Sequence, residues 1–158
     1  MKLTLNREFL NRHLFALTVF LLLSGWFGYD AFVRYPAVSA HDLYVSIEKS
    51  EPAAGTDLAA FKAQKVSTQR VFTALTFLVG AAVGLQLLLL ARFAFSFDED
   101  GFTCAGVKRP YSAIETVDTT AWERKGILVI SGKKWKIKLD SWHHTGVKDF
   151  YEKIQKRG

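Results

Sequence analysis

The residues best suited to chemistry in this sequence are few and scattered. His143 and His144 stand side by side shortly after Asp140, and the one cysteine, Cys104, lies 39 positions before His143. These residues invite two readings, a metal site and a thiol–imidazole nucleophile pair. Neighbouring histidines in a loop share no helical face, and nothing around them resembles a tetrahedral ligand set. A thiolate nucleophile needs a base and an orienting group behind it. Cys104 and His143 would meet only through folding, and no orienting or oxyanion partner can be assigned. The expectation is a polar loop, with no metal, no cofactor and no catalytic residue. His13, at the start of an apolar run, could ligate a pigment or haem held by a neighbour, but an interfacial histidine is more often structural.

The second set is basic: Lys108, Arg109, Arg124, Lys125, Lys133, Lys134, Lys136 and Lys138. Two readings stay open for it. Against anionic headgroups each such residue is worth about 1 kcal/mol near the surface. Alternatively, this is a solvated face on which alternating lysines guard an edge strand against mispairing. Glu115, Asp118, Glu123 and Asp140 dilute the charge. The formal net charge of +6 suits a protein beside anionic lipid or an acidic partner. Nucleic acid is set aside, because the charges are spread out and accompany two runs of membrane length. A single cysteine accords with the reducing side of a membrane.

Those runs are the elements that position everything else. Val71–Ala91 holds 21 residues without a formal charge, between Arg70 and Arg92. A helix needs about 20 apolar residues to cross the roughly 30 Å of bilayer hydrocarbon. An earlier run, Leu14–Tyr29, continues to Arg34 behind a basic start. That start also fits a signal peptide, but no small-x-small cleavage site follows the run. The expectation is a segment 1–12, a first span over 13–35 ended by Pro36, and an irregular loop over 36–56. In that loop Tyr44, Val45 and Ile47 could form a short strand or pack on the membrane surface. One continuous helix over 57–92 follows, capped by Thr56 or Asp57. Asp30 and Arg34, four apart, predict a pair near the outer end of the first span. Gly80 and Gly84 have the spacing that lets membrane helices approach closely, and Ser24 with Gly28 offers a similar groove. They serve either packing between the two spans or docking to another membrane protein. Gln86, in mid-span, points to a protein-facing side, because its amide needs a partner in hydrocarbon. Basic flanks at Lys2, Arg7, Arg12 and Arg92 put both termini in the cytoplasm.

From residue 93 the period changes. Phe93, Phe95 and Phe97 alternate as a strand, Asp98–Gly101 turns, and Phe102–Gly106 returns. Val107–Pro110 reads as a loop, Ile114–Ala121 contains a third strand, and Glu123–Gly126 is a turn. Ile127–Ile130 is a fourth strand. The fifth, Lys134–Leu139, alternates strictly, with Trp135, Ile137 and Leu139 inward. A closing helix capped by Thr145 carries Val147, Phe150, Tyr151 and Ile154 on one stripe, with Lys148, Lys153, Lys156 and Arg157 on other faces. The fold class is therefore α+β, a two-helix transmembrane hairpin followed by a small antiparallel β domain with a C-terminal amphipathic helix.

The segments FSFDEDGFTCAG, YSAIETVDTTAW, KGILVISGKKWKIKLD and VKDFYEKIQKR, behind a membrane hairpin, resemble the bacterial membrane-anchored proteins with a pleckstrin-homology-like domain. The resemblance covers about 93–157, with five strands, perhaps six, against the family's usual seven. It implies a bacterial inner-membrane location and a binding or scaffolding role. The functional expectation is a non-catalytic accessory subunit that docks to integral membrane proteins of a larger complex. The alternative is a sensor of anionic lipid headgroups acting through Lys108, Arg109, Lys133, Lys134, Lys136 and Lys138.

Overall fold

The computed structural model describes residues 1–156, so Arg157 of the last helix lies outside the described residues. The chain is α+β, with two long apolar helices followed by three small antiparallel sheets. It divides into two compact units, Leu14–Gly84 and a discontinuous one made of Met1–His13 with Leu85–Gly158.

In the unit Leu14–Gly84 the first helix, α1 (Arg7–Tyr29), runs on through a π-helical turn, Asp30–Arg34, into a short α2 (Tyr35–Ala37). Pro36 therefore does not end the helix. The Tyr35 N–H donates to the Asp30 carbonyl in the wider π register, and Pro36 falls in the first turn of α2, where its missing N–H costs little. The chain turns extended at Val38. Asp30 and Arg34 pair as expected, at 3.4 Å, with Asp30 buried.

The expected irregular loop contains a helix, α3 (Ala40–Glu48). Ser39 starts it, because its hydroxyl accepts the Asp42 N–H at 3.1 Å and donates back to the Asp42 carboxylate at 2.7 Å. The short strand envisaged around Tyr44–Ile47 does not form. Tyr44 instead packs on Phe61, ring centroids 4.9 Å apart. Asp57 caps α4 (Leu58–Arg92), accepting the Ala60 N–H at 2.9 Å, and α4 is unbroken over 35 residues, about 52 Å.

The small residues of the two long helices face each other. A Cβ on Gly80 would sit 3.4 Å from the Phe20 Cβ, one on Gly84 3.7 Å from Leu17, and one on Gly28 3.5 Å from the Thr73 methyl. The Ser24 hydroxyl donates to the Thr73 carbonyl at 3.3 Å. These contacts are ordinary van der Waals distances, so Gly80→Ala should be tolerated. Gly80→Phe should force the helices apart, lowering the yield of a disulfide engineered between them relative to the parent.

In the other unit the β domain holds more strands than the sequence suggests, because several are very short. They are β1 (Thr4–Leu5), β2 (Phe95–Phe97), β3 (Gly101–Cys104), β4 (Val107–Pro110), β5 (Thr116–Asp118), β6 (Ile127–Gly132), β7 (Trp135–Asp140) and β8 (His144–Thr145). They form sheets ordered β2-β3-β4, β5-β6-β7 and β1-β8. The expected loop Val107–Pro110 is a strand because Ala105 and Gly106 take positive φ of 50° and 80°. This tight two-residue connection matches the twist of a hairpin. The expected turn at Glu123–Gly126 is one helical turn, α5 (Trp122–Lys125), closed by Gly126 at φ 63°. Gly126 has no room for a side chain, since a Cβ would lie 1.9 Å from the Ser141 hydroxyl. The last helix, α6 (Val147–Gln155), is entered through Gly146 at φ 87° and not through a Thr145 cap, since Thr145 belongs to β8. Val147 and Phe150 are buried, and Tyr151 and Ile154 pack against the same core, as the stripe requires.

The largest departure concerns the opening residues. They are not a separate tail but the missing edge of this domain. Lys2 bridges to Ser96, the Leu3 N–H donates to the Phe95 carbonyl at 3.0 Å, and β1 pairs with β8 through Thr4–Thr145 and Leu5–His144. Leu3, 2% exposed, enters the core beside Phe95, Leu128, Leu139 and Phe150. Leu3→Ala should cost about 2–5 kcal/mol, read as a lowered denaturation midpoint of the domain. A fragment starting at Phe93 should melt well below the same fragment supplied with residues 1–13.

Candidate functional site

The residues with chemical capability gather where the opening arm, the end of α4 and the segment before α6 meet. Asp140 ends β7, and its Oδ1 accepts the Trp142 N–H at 2.9 Å. That tight turn brings His143 back, its Nδ1 3.6 Å from Asp140 Oδ2. The arm holds the turn from the other side. Asn6 N–H donates to the His143 carbonyl at 2.8 Å, and Phe9 meets the His143 ring nearly edge-on at 4.8 Å. The Arg12 guanidinium lies 5.3 Å from the centroid of the partly exposed Trp142 ring.

His144 is the more unusual of the two. It sits in β8 opposite Leu5 and is 6% exposed, its ring 5.2 Å from Phe93. The ring hydrogen-bonds to the backbone of Leu90, near the end of α4. Its Nε2 is buried without a partner. Burial pushes the imidazole below its ordinary range, outweighing the opposing Leu90 bond, with the His143 charge also lowering it and Asp140 raising it. Two recesses of about 240 Å³ and 160 Å³ share Leu90, Phe93 and His144. The larger opens toward the arm, and the smaller is lined by Lys138, Asp140 and His143.

Cys104 lies on β3 and packs against the core, and burial raises its thiol, with the Arg109 charge pulling the other way. Among the described residues no hydrogen bond joins it to His143, and no three His, Cys, Asp or Glu side chains gather as a metal-holding group. His13 places Nδ1 2.9 Å from the Phe9 carbonyl, and its ring lies tilted against the Phe9 ring, centroids 3.9 Å apart.

The basic residues fall into different settings. Lys108 pairs with Asp98 at 3.4 Å, and the Arg109 guanidinium covers the Trp135 ring at 5.3 Å. Lys133 and Lys134 form the β6–β7 turn, while Lys136 and Lys138 project from the outer face of β7, between the inward Trp135, Ile137 and Leu139. Asp118, opposite Val129 on the same sheet, is held below the usual carboxylate range by the Thr120 hydroxyl and N–H, with a smaller contribution from Lys136. In the helices, Ser24, Gly28, Gly80 and Gly84 are occupied by the contact between α1 and α4. Gln86 is exposed, one position off the row of Gly80, Gly84 and Leu87.

The sequence reading did not foresee the part played by Asn6, Phe9 and Arg12. A signal was present, because Asn6 is a good helix cap and its side chain accepts the Glu8 N–H at 2.9 Å. No family model, no curated protein and no solved structure matches the chain.

The buried imidazole has a pH signature. Its folded pKa is depressed, so below the ordinary value near 6.5 the unfolded chain binds the extra proton. Stability is full above that value and falls as the pH drops through it. Thermal melts of the detergent-solubilised chain between about pH 7 and pH 5 should show a declining midpoint, and His144→Phe should flatten that decline.

Proposed function

We propose that this chain is a two-span membrane protein whose β domain, on the cytoplasmic side, works as a binding and scaffolding module for an integral membrane complex. The observation carrying this reading is the surface of the two long helices. Phe15, Leu22, Leu78 and Leu88 are exposed by 72%, 69%, 62% and 59%, on helices of 31 and 35 residues. Apolar surface of that extent requires lipid or protein cover. Basic flanks at both cytoplasmic ends set the orientation, and the resemblance to bacterial proteins with a pleckstrin-homology-like domain supports an inner-membrane location and a binding role.

Within that reading the docking face shifts. The small residues once equally suited to a partner are engaged between α1 and α4. Gln86 is exposed, and an amide at that depth gains a hydrogen bond only from another membrane protein or from water. The partner therefore contacts α4 on the Gln86 side. A photo-crosslinking residue at position 86, used in intact cells, should trap one integral membrane protein. The same residue at Leu22 should trap lipid or nothing. Gln86→Leu should weaken co-purification of that protein without lowering the level of this chain in the membrane. Equal crosslinking from positions 22 and 86, or a chain released from membranes by carbonate, would contradict the proposal.

A further inference from the structure

The turn between β7 and β8 leaves one ring uncovered. Among the described residues from Phe93 onward, Trp142 is the only aromatic side chain left exposed, at 41%. Its position is nonetheless fixed. The Asp140 carboxylate accepts the Trp142 backbone N–H at 2.9 Å, and the His143 carbonyl accepts the Asn6 N–H at 2.8 Å. The indole meets the buried Phe9 ring edge-on at 6.3 Å, and the exposed Arg12 guanidinium lies 5.3 Å from its centroid. Arg12 also pairs with Glu8 at 2.5 Å.

The helix that holds the ring sets its surroundings. Arg12 is the last charged residue before the apolar run opens at Leu14, two residues on and so about 3 Å further along α1. In a spanning helix that boundary divides hydrocarbon from headgroups, and each headgroup layer is roughly 5–7 Å deep. An indole within reach of Arg12 falls inside that layer. The depth suits it, because the ring is apolar and its N–H can donate to a phosphate or ester oxygen. Both helices enter the domain here. Phe9, on α1, lies 4.8 Å from the His143 ring, and Phe93, just past α4, lies 5.2 Å from that of His144.

We propose that Trp142 and Arg12 seat the β domain on the membrane surface, the indole among the lipid glycerol esters and the guanidinium against a lipid phosphate. This end of the domain then faces the bilayer. Trp135 stands at the other end of β7, about 17 Å from Asp140 along the strand, and so lies farther from the lipid. The seat is separate from Lys108, Arg109, Lys133 and Lys134, and it rests on the membrane reading above.

Fluorine NMR of the full chain tests it, with fluorotryptophan in place of tryptophan and nanodiscs of phosphatidylethanolamine and phosphatidylglycerol as the membrane. The Trp142 signal is assigned by its loss in Trp142→Phe, and unmoved signals from the other tryptophans show that this variant folds. A lipid carrying a nitroxide just below its headgroup should broaden the Trp142 signal several-fold more than that of Trp135. A soluble gadolinium chelate should broaden Trp142 only weakly. Trp26, 68% exposed inside the first apolar run, reports the membrane reading independently. If the nitroxide lipid broadens Trp26 but broadens Trp142 no more than Trp135, the seat is overturned and the span stands. Strong broadening of Trp142 by the soluble chelate overturns the seat as well, since the ring is then open to water and free for a protein partner. If neither Trp26 nor Trp142 responds to the nitroxide lipid, both readings fall.

Discussion

The structure of the β domain depends on backbone pairing between the first residues of the chain and segments far later in the sequence. Residues 1–3 run along β2, and β1 runs along β8. Without them β2 would present a free edge, and an unpaired edge beside a core costs both hydrogen bonds and exposure. The pairing places the Leu3 side chain in the core and leaves Asn6, Phe9 and Arg12 against the turn that carries both histidines. The site around His144 is therefore composite, since the arm, the end of α4 and the segment after β7 each supply part of it.

The other unit follows a different constraint. Two apolar helices without charged faces can touch closely only where side chains are small. Gly28, Gly80 and Gly84 are at those contacts, with Ser24 adding a hydrogen bond across them. Asp30 is buried yet paired to Arg34 inside a π-helical turn, and that turn lets the helix pass Pro36 before it stops. Polar demands at this end are met locally, by Ser39 on Asp42 and by Lys62 Nζ, which donates to the carbonyls of Pro36 at 3.0 Å and Val38 at 2.5 Å.

Long-period and strictly alternating features were legible in the sequence. The unbroken α4, the inward Trp135, Ile137 and Leu139, the α6 stripe and the Asp98 turn all follow from spacing and turn chemistry. Misreadings arose where a short signal competes with a strong one. Pro36 outweighed the π register, and the Ser39–Asp42 capping pair was overlooked among loop-forming residues. Val107–Pro110 read as a loop, although the positive φ of Ala105 and Gly106 builds a hairpin there. The arm was invisible for a different reason. Two-residue strands have no period, and pairing across some 140 positions leaves no local mark. The candidate site shared that fate, because His143 and His144 were noticed but their surroundings come from segments far apart in the chain.

The central claim is that the first six residues are structural members of the β domain. Amide hydrogen exchange on the full chain in detergent tests it directly. The account predicts that Leu3 and Asn6, whose N–H groups donate to Phe95 and His143, are protected as strongly as Leu128 and Ile130 in β6. Exchange of Leu3 and Asn6 at the rate of a free tail, with Leu128 and Ile130 still protected, would contradict it.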